Sequence, residues 1–215
     1  MPHFPPLTEQ IDRLITLGVP QRAGLSSDDF RALANTLEPS SLGTGTDLLV
    51  LSPTLVPASQ LADLLTLNGK LGFVVVDITD LDKFTLIPGE TRPDTLVYLI
   101  QGVERGDDMA NWSPHEALDE IRGRGRTPLT VNEGISWLLQ RPQDLEPNKC
   151  FMTIGSRKRK DPEGKKLDSR TPAIWISGGT GRDGKGAKGA PKVGWCWAGN
   201  RHTWLGFGSA ELLSN

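Results

Sequence analysis

Five side chains near the C-terminus have types and spacing that could do chemistry together: Trp195, Cys196, Trp197, His202 and Trp204. Three of the chain's six tryptophans fall among them. In an extended strand, alternation puts Trp195 and Trp197 on one side and Cys196 on the other. Two indoles on one face can stack a flat ligand, with Asn200, Arg201 and His202 supplying its polar edge. The same indoles could serve instead as core beneath a helix. A buried indole N–H needs a partner, which counts against a purely structural role.

Cys196 and His202 also have the makings of a nucleophile and its base. A thiol attacks at neutral pH only as the thiolate, which a neighbouring imidazole can generate. Six residues apart across a tight hairpin, the two could meet and carry acyl or related group transfer. No cysteine-protease signature surrounds them, and free cysteine is among the most buried residue types. A buried structural thiol is therefore the simpler reading of Cys196. Cys150, set among Phe151, Met152 and Ile154, reads as core.

Other chemistries find less support. There is no CxxC, HxH or HExxH, so no metal site is expected. Asp77, Asp80 and Asp82 follow a strand end and would suit Mg²⁺ only if they converged; a solvated loop is the plainer expectation. Gly179 to Gly186 approximates a phosphate-binding loop. Gly186 stands where a Ser or Thr should ligate magnesium, however, and Ala187 to Pro191 cannot open the helix that must follow. No residue pattern specifies a cofactor.

The elements that must position these residues come from a chain of 215 residues, long enough for one sizeable core. With 24 Gly and 16 Pro it should be rich in loops. No apolar run approaches the roughly 18–20 residues of a membrane span, so no membrane partner is expected. The N-terminus lacks a basic and apolar leader pattern, and two cysteines make no disulfide framework; the expected compartment is the cytoplasm. The net charge of −2 hides an asymmetry: residues 1–107 hold 7 Lys+Arg against 14 Asp+Glu, and residues 108–215 hold 17 against 12. A basic half can attract nucleic acid. Here the excess clusters at Arg157 to Lys160 and Lys165 to Arg170, among Asp, Glu, Pro and Gly, which reads as a solvated loop.

Hydrophobic spacing predicts an α+β fold. Two N-terminal helices are expected, the first carrying Ile11, Leu14 and Ile15 on one face and ending before Pro20, the second capped by Ser26. A mixed sheet with packed helices follows. Leu48–Leu51, Leu71–Ile78 and Thr95–Gln101 read as strands, with the β-branched run Phe73 to Val76 in the centre of the sheet. Pro57–Leu67 reads as a helix. Ser113 and Thr130, each with Glu three residues on, predict capping boxes that open two further helices. The C-terminal third reads as antiparallel strands at Cys150–Ile154, Ala173–Ile176, and a final hairpin of Lys192–Trp197 with Thr203–Phe207. Residues 1–46 are expected as a helical segment and 47–215 as one α+β domain, with long loops near 156–171 and 178–190.

Several blocks carry a family likeness: GRGRTPLTVNEG from Gly123, NKCF from Asn148, PAIWIS from Pro172 and GWCWAGN followed by HTWLG from Gly194. Together they resemble a bacterial family, common in actinomycetes, known only as a domain of unknown function. The likeness covers most of the chain from Leu48. It implies a cytoplasmic bacterial protein and brings no activity, cofactor or catalytic residue. The Lys- and Gly-rich loops are longer here than in the family, and Arg201 stands where proline is expected. The function expected from these residues is small-molecule binding in a Trp-lined C-terminal pocket, as an accessory factor of bacterial metabolism. Group transfer by Cys196 and His202, or nucleic-acid binding by the basic loops, are the alternatives.

Overall fold

A computed structural model describes residues 2–39, 45–163 and 166–212. Its helices are Leu7–Thr16 (α1), Val19–Ala23 (α2), Ser27–Ala34 (α3), Ala58–Ala62 (α4), Pro114–Gly123 (α5) and Val131–Gln140 (α6). Its strands are Leu48–Leu51 (β1), Thr66–Leu67 (β2), Lys70–Leu71 (β3), Phe73–Val74 (β4), Phe84–Leu86 (β5), Val97–Glu104 (β6), Thr127–Pro128 (β7), Cys150–Met152 (β8), Ser156–Lys158 (β9), Arg170–Ile176 (β10), Pro191–Trp197 (β11), Leu205–Phe207 (β12) and Ser209–Leu212 (β13). Helices and mixed sheets together make the α+β fold that the spacing predicts.

Helix α6 is the hub. All ten of its residues are buried, so polar ones among them must find partners inside the protein. Asn132 Nδ2 donates to the carbonyls of Leu51 and Val56, each at 3.1 Å. Ser136 Oγ accepts from Leu51 N at 3.2 Å. Trp137 stacks on Phe151 with ring centroids 4.8 Å apart and donates its Nε1–H to Asp144 at 2.7 Å. Gly134 is required by proximity: a Cβ there would stand 2.6 Å from Thr153 Cγ2 and 3.0 Å from Phe151 Cε2. The helix thus packs on β1 on one side and on the β8–β10 surface on the other.

Two sheets flank it. One runs β1-β6-β13-β7 and is antiparallel throughout. The other runs β12-β8-β10-β11-β4. Its inner pairs β8–β10 and β10–β11 are antiparallel, while the outer pairs β12–β8 and β11–β4 are parallel. Phe4 and, from helices α1 to α3, Ile11, Leu14, Val19 and Phe30 join the same continuous core.

Both predicted capping boxes form. Ser113 Oγ accepts from Glu116 N, and the Glu116 carboxylate accepts from Ser113 N at 2.8 Å. Thr130 and Glu133 repeat the pattern at α6. Glu133 is fully buried and takes four donors: Arg92 Nε at 2.5 Å, Arg92 Nη2 at 3.2 Å, Tyr98 OH at 2.9 Å and Thr130 N at 2.6 Å.

Three expectations need correction, and a fourth meets residues outside the description. The N-terminal segment has three helices, because Pro20 sits in the first turn of α2, where its missing N–H costs nothing. The boundary expected at 46 adjoins residues 40–44, which lie outside the described residues. The run Phe73 to Val76 is an edge, not a centre: only Phe73 and Val74 pair, and Val76 is 66% exposed. The final hairpin does not form. Strand β12 pairs with β8 and β11 with β10, which leaves two strands between them.

Loss of these anchors should be graded. Ser113→Ala should lower stability by about 1 kcal/mol. Glu133→Gln breaks a buried pair with Arg92 and should cost about 3–5 kcal/mol. Urea denaturation midpoints of the two variants check the order.

Candidate ligand-binding site

The β10–β11 register builds a pocket at the edge of the second sheet. Trp175 pairs with Lys192, and Ala173 with Gly194. Directly paired residues share a face, so Lys192 Nζ comes to rest 4.7 Å from the centre of the Trp175 ring. Gly194 leaves room for that indole: a Cβ there would stand 2.5 Å from Trp175 Cη2. Trp175 therefore reaches across the strand towards Val75, where the chain leaves β4. One residue on, Trp195 donates its Nε1–H to Asp77 Oδ1 at 3.2 Å.

Between these groups lies a half-open pocket of about 370 Å³, lined by Phe73, Val75, Asp77, Trp175, Arg182 and Trp195, among others. Its charges come in pairs. Lys192 Nζ lies 2.6 Å from Asp183 Oδ2, which also accepts from Ser177 Oγ at 2.7 Å. Burial opposes the Asp183 charge, but the Lys192 and Ser177 hydrogen bonds prevail and hold its carboxyl below the ordinary range. At the mouth, Arg182 Nη1 lies 3.4 Å from Asp77 Oδ2. The arrangement offers an apolar, aromatic wall with donors and acceptors at its rim.

Of the C-terminal candidates Trp195, Cys196, Trp197, Asn200, Arg201, His202 and Trp204, Trp195 alone lines this pocket, joined by Asp77 from the carboxylate loop and by Arg182 and Asp183 from the glycine-rich loop. Trp197 packs edge-on against Trp195, centroids 4.5 Å apart, and is 47% exposed outside it. Asn200 is exposed in the turn after β11, its N–H bonded to Trp197 O at 3.0 Å. Arg201 turns to α5, where it pairs with Glu116 and donates to Asn111 O at 2.9 Å. His202 meets Trp204 edge-on with centroids 5.4 Å apart, and Trp204 in turn meets Trp175 edge-on at 6.2 Å. The missing hairpin explains this dispersal. With β12 paired to β8, residues 200–204 travel back across the sheet instead of returning beside β11.

Among the described residues no hydrogen bond joins Cys196 to His202. Burial pushes the Cys196 thiol up to about 11, against the pull of Lys192. Burial also lowers His202, whose Nε2 is buried without a partner. Each carboxylate of the 77–82 loop has separate partners. Asp80 lies 2.6 Å from Lys158 and 2.8 Å from Arg170, whose hydrogen bonds hold it far below the carboxylate range. Asp82 accepts from Ser59 N and Oγ at 2.9 and 2.6 Å.

Sequence reasoning missed Trp175, Lys192 and Asp183 as pocket residues. The available signal was Trp175 inside a predicted strand, adjacent to the strand that carries Trp195. It also missed a concavity of about 500 Å³ over the start of α6, lined by Phe84, Arg92, Tyr98 and Asn132 among others. There Arg92 and Glu133 neutralise each other.

A family model described as a family of unknown function, DUF5701, matches residues 13–214. The chain belongs to this family. The match takes in every residue of both concavities. No curated protein and no solved structure matches the chain.

Two outcomes follow from these side chains. Cys196 should react with iodoacetamide on the order of a hundredfold more slowly at pH 7.5 than an unperturbed thiol, because so little of it is thiolate. His202, lowered from 6.5, binds its proton less readily folded than unfolded. Its contribution to stability should therefore be intact above pH 6.5 and fall as the pH drops below it. Denaturation midpoints between about pH 7 and 5 should flatten in His202→Gln.

Proposed function

We propose that the protein is a small-molecule-binding protein whose ligand lies flat against Trp175 and Trp195. The observation that carries this reading is the convergence of two indole faces with Asp77, Arg182 and the Lys192–Asp183 pair around one pocket. An apolar wall with a few directional polar groups is what holds and orients a small ligand. The Trp175 face has two sides to its chemistry. Lys192 occupies a cation-binding position over it, and its far edge packs on the bare backbone of Gly194 beside Val75. A ligand with a planar, electron-poor ring and a polar edge matches both features. An accessory role in bacterial metabolism suits such a site, since it supplies recognition without an activated nucleophile.

The group-transfer alternative asks for a thiolate at Cys196, and the environment pushes the thiol the other way. Nucleic-acid binding asks for unspent basic charge, and Lys158 and Arg170 are both engaged by Asp80.

Native mass spectrometry of protein purified gently from its host should reveal a bound small molecule. Trp195→Leu keeps apolar bulk but removes the stacking face and the N–H to Asp77. It should weaken binding of that molecule by about tenfold, given roughly 0.5–1.5 kcal/mol for an aromatic pair. The denaturation midpoint should shift little. Unchanged affinity in Trp195→Leu, or a ligand mapped elsewhere by protection from quenching, overturns the reading.

A further inference from the structure

Arg157 is a buried guanidinium without a counter-ion. It is 9% exposed, and among the described residues it forms no ion pair. Its Nε donates to the carbonyl of Asp168 at 2.9 Å, and its Nη2 donates to the same oxygen. The Asp168 carboxylate is turned to Arg170, which it meets at 3.0 Å. Among the described residues Nη1 of Arg157 has no acceptor. Burial lowers the Arg157 pKa, with Asp168 only partly offsetting it. A guanidinium stays charged in proteins, so a buried one is expensive unless an anion neutralises it.

Arg157 lines a cleft of about 440 Å³ between α5 and the hairpin that links β9 to β10. Helix α5 contributes His115, Leu118 and Arg122, which its periodicity brings to one face. The floor is apolar, with Ile87, Ile154 and Leu167. Arg122 is tethered at the rim, its Nε bonded to Glu90 Oε1 at 2.8 Å. Glu163 also stands at the rim.

We infer that this cleft is a second binding site, for a small organic carboxylate with an apolar body, whose carboxylate meets Arg157. The charge at the base is a single guanidinium, which suits one negative charge. The aliphatic floor takes the body of the ligand, and a fork of guanidinium donors matches the two carboxylate oxygens. This site is separate from the Trp175–Trp195 pocket and stands or falls without it.

The test uses hexanoate as the probe in calorimetric titrations of the full chain, with hexanol and inorganic phosphate as comparators. Hexanoate should bind saturably, and at least tenfold more tightly than either comparator. Arg157→Gln should abolish binding. Should that variant fail to fold, His115→Asp decides the matter. It places a negative charge at an exposed position in the first turn of α5, where an acidic residue is favourable to the helix. It should weaken hexanoate binding several-fold without lowering the denaturation midpoint. No saturable binding at millimolar hexanoate, equal binding of hexanol, tighter binding of phosphate, or affinity unchanged in His115→Asp would each overturn the proposal.

Discussion

A helix buried on every side imposes the main constraint on this fold. Helix α6 lies between two sheets, so the polar atoms it brings inside are answered by groups that the sheets or loops hold in place, Gln140 Oε1 being the exception. Asn132 draws in the backbone at Leu51 and Val56. Ser136 takes the N–H of Leu51. Glu133 clamps Arg92 and Tyr98 from the loop and strand ahead of it. Gln140 donates to Gln10 O in α1 at 3.2 Å. Four polar residues of one helix therefore fix β1, β6, the 92 loop and the N-terminal segment at once. The second sheet is set from the other side by contact alone, with Phe151 stacked on Trp137 and Gly134 allowing the close approach. Removing one partner of such a set leaves the other buried and unsatisfied, which is why the arrangement is cooperative.

How much of this was legible in the sequence depends on how local the information was. Both capping boxes were visible because the N-cap and the residue three places on answer one another without help from the rest of the chain. The β-branched run at Phe73 to Val76 carried a correct preference for extended backbone. Nothing local could say that only two of its residues would pair, at the edge of a sheet. The Trp195–Trp197 alternation held as well, since it needs only a strand. Strand partners were beyond reach. Proximity in sequence favoured pairing β11 with β12, while the real partners of β12 and β11 are β8 and β10. Half of the candidate site was lost by that one error. Asn200, Arg201 and His202 were assigned to the indoles by a hairpin, and the hairpin is not there.

The pocket that does form depends on residues distant in sequence. Trp175 reaches it because Gly194, opposite Ala173 on the next strand, has no side chain to stop the indole. Asp77 reaches it because β4 ends at Val74 and the chain turns away from the sheet beside Trp195. A parallel pair at a sheet edge, with the chain departing at the strand end, leaves a crevice of the kind that ligands occupy in α/β proteins. The sheet here is not a doubly wound one, but the geometric cause is the same: side chains flank a gap that no further strand fills.

The charge asymmetry along the chain also takes on a physical meaning. An acidic first half and a basic second half suggest two surfaces, one of them free to meet a polyanion. In the fold, the two halves neutralise one another. Asp80 takes Lys158 and Arg170, Asp77 takes Arg182, Glu90 takes Arg122 and Glu104 takes Arg126. These pairs join segments far apart in sequence, so they favour one arrangement of the loops over others even where each is worth little in net stability. They also consume much of the basic excess that a nucleic-acid reading would need. Against this background Arg157 departs from the pattern. It is more buried than most of the paired cations, yet among the described residues its side chain donates to a backbone carbonyl alone. A guanidinium placed at the base of an apolar cleft, with no carboxylate against it among the described residues, marks the position where a charge from outside the chain would complete the set.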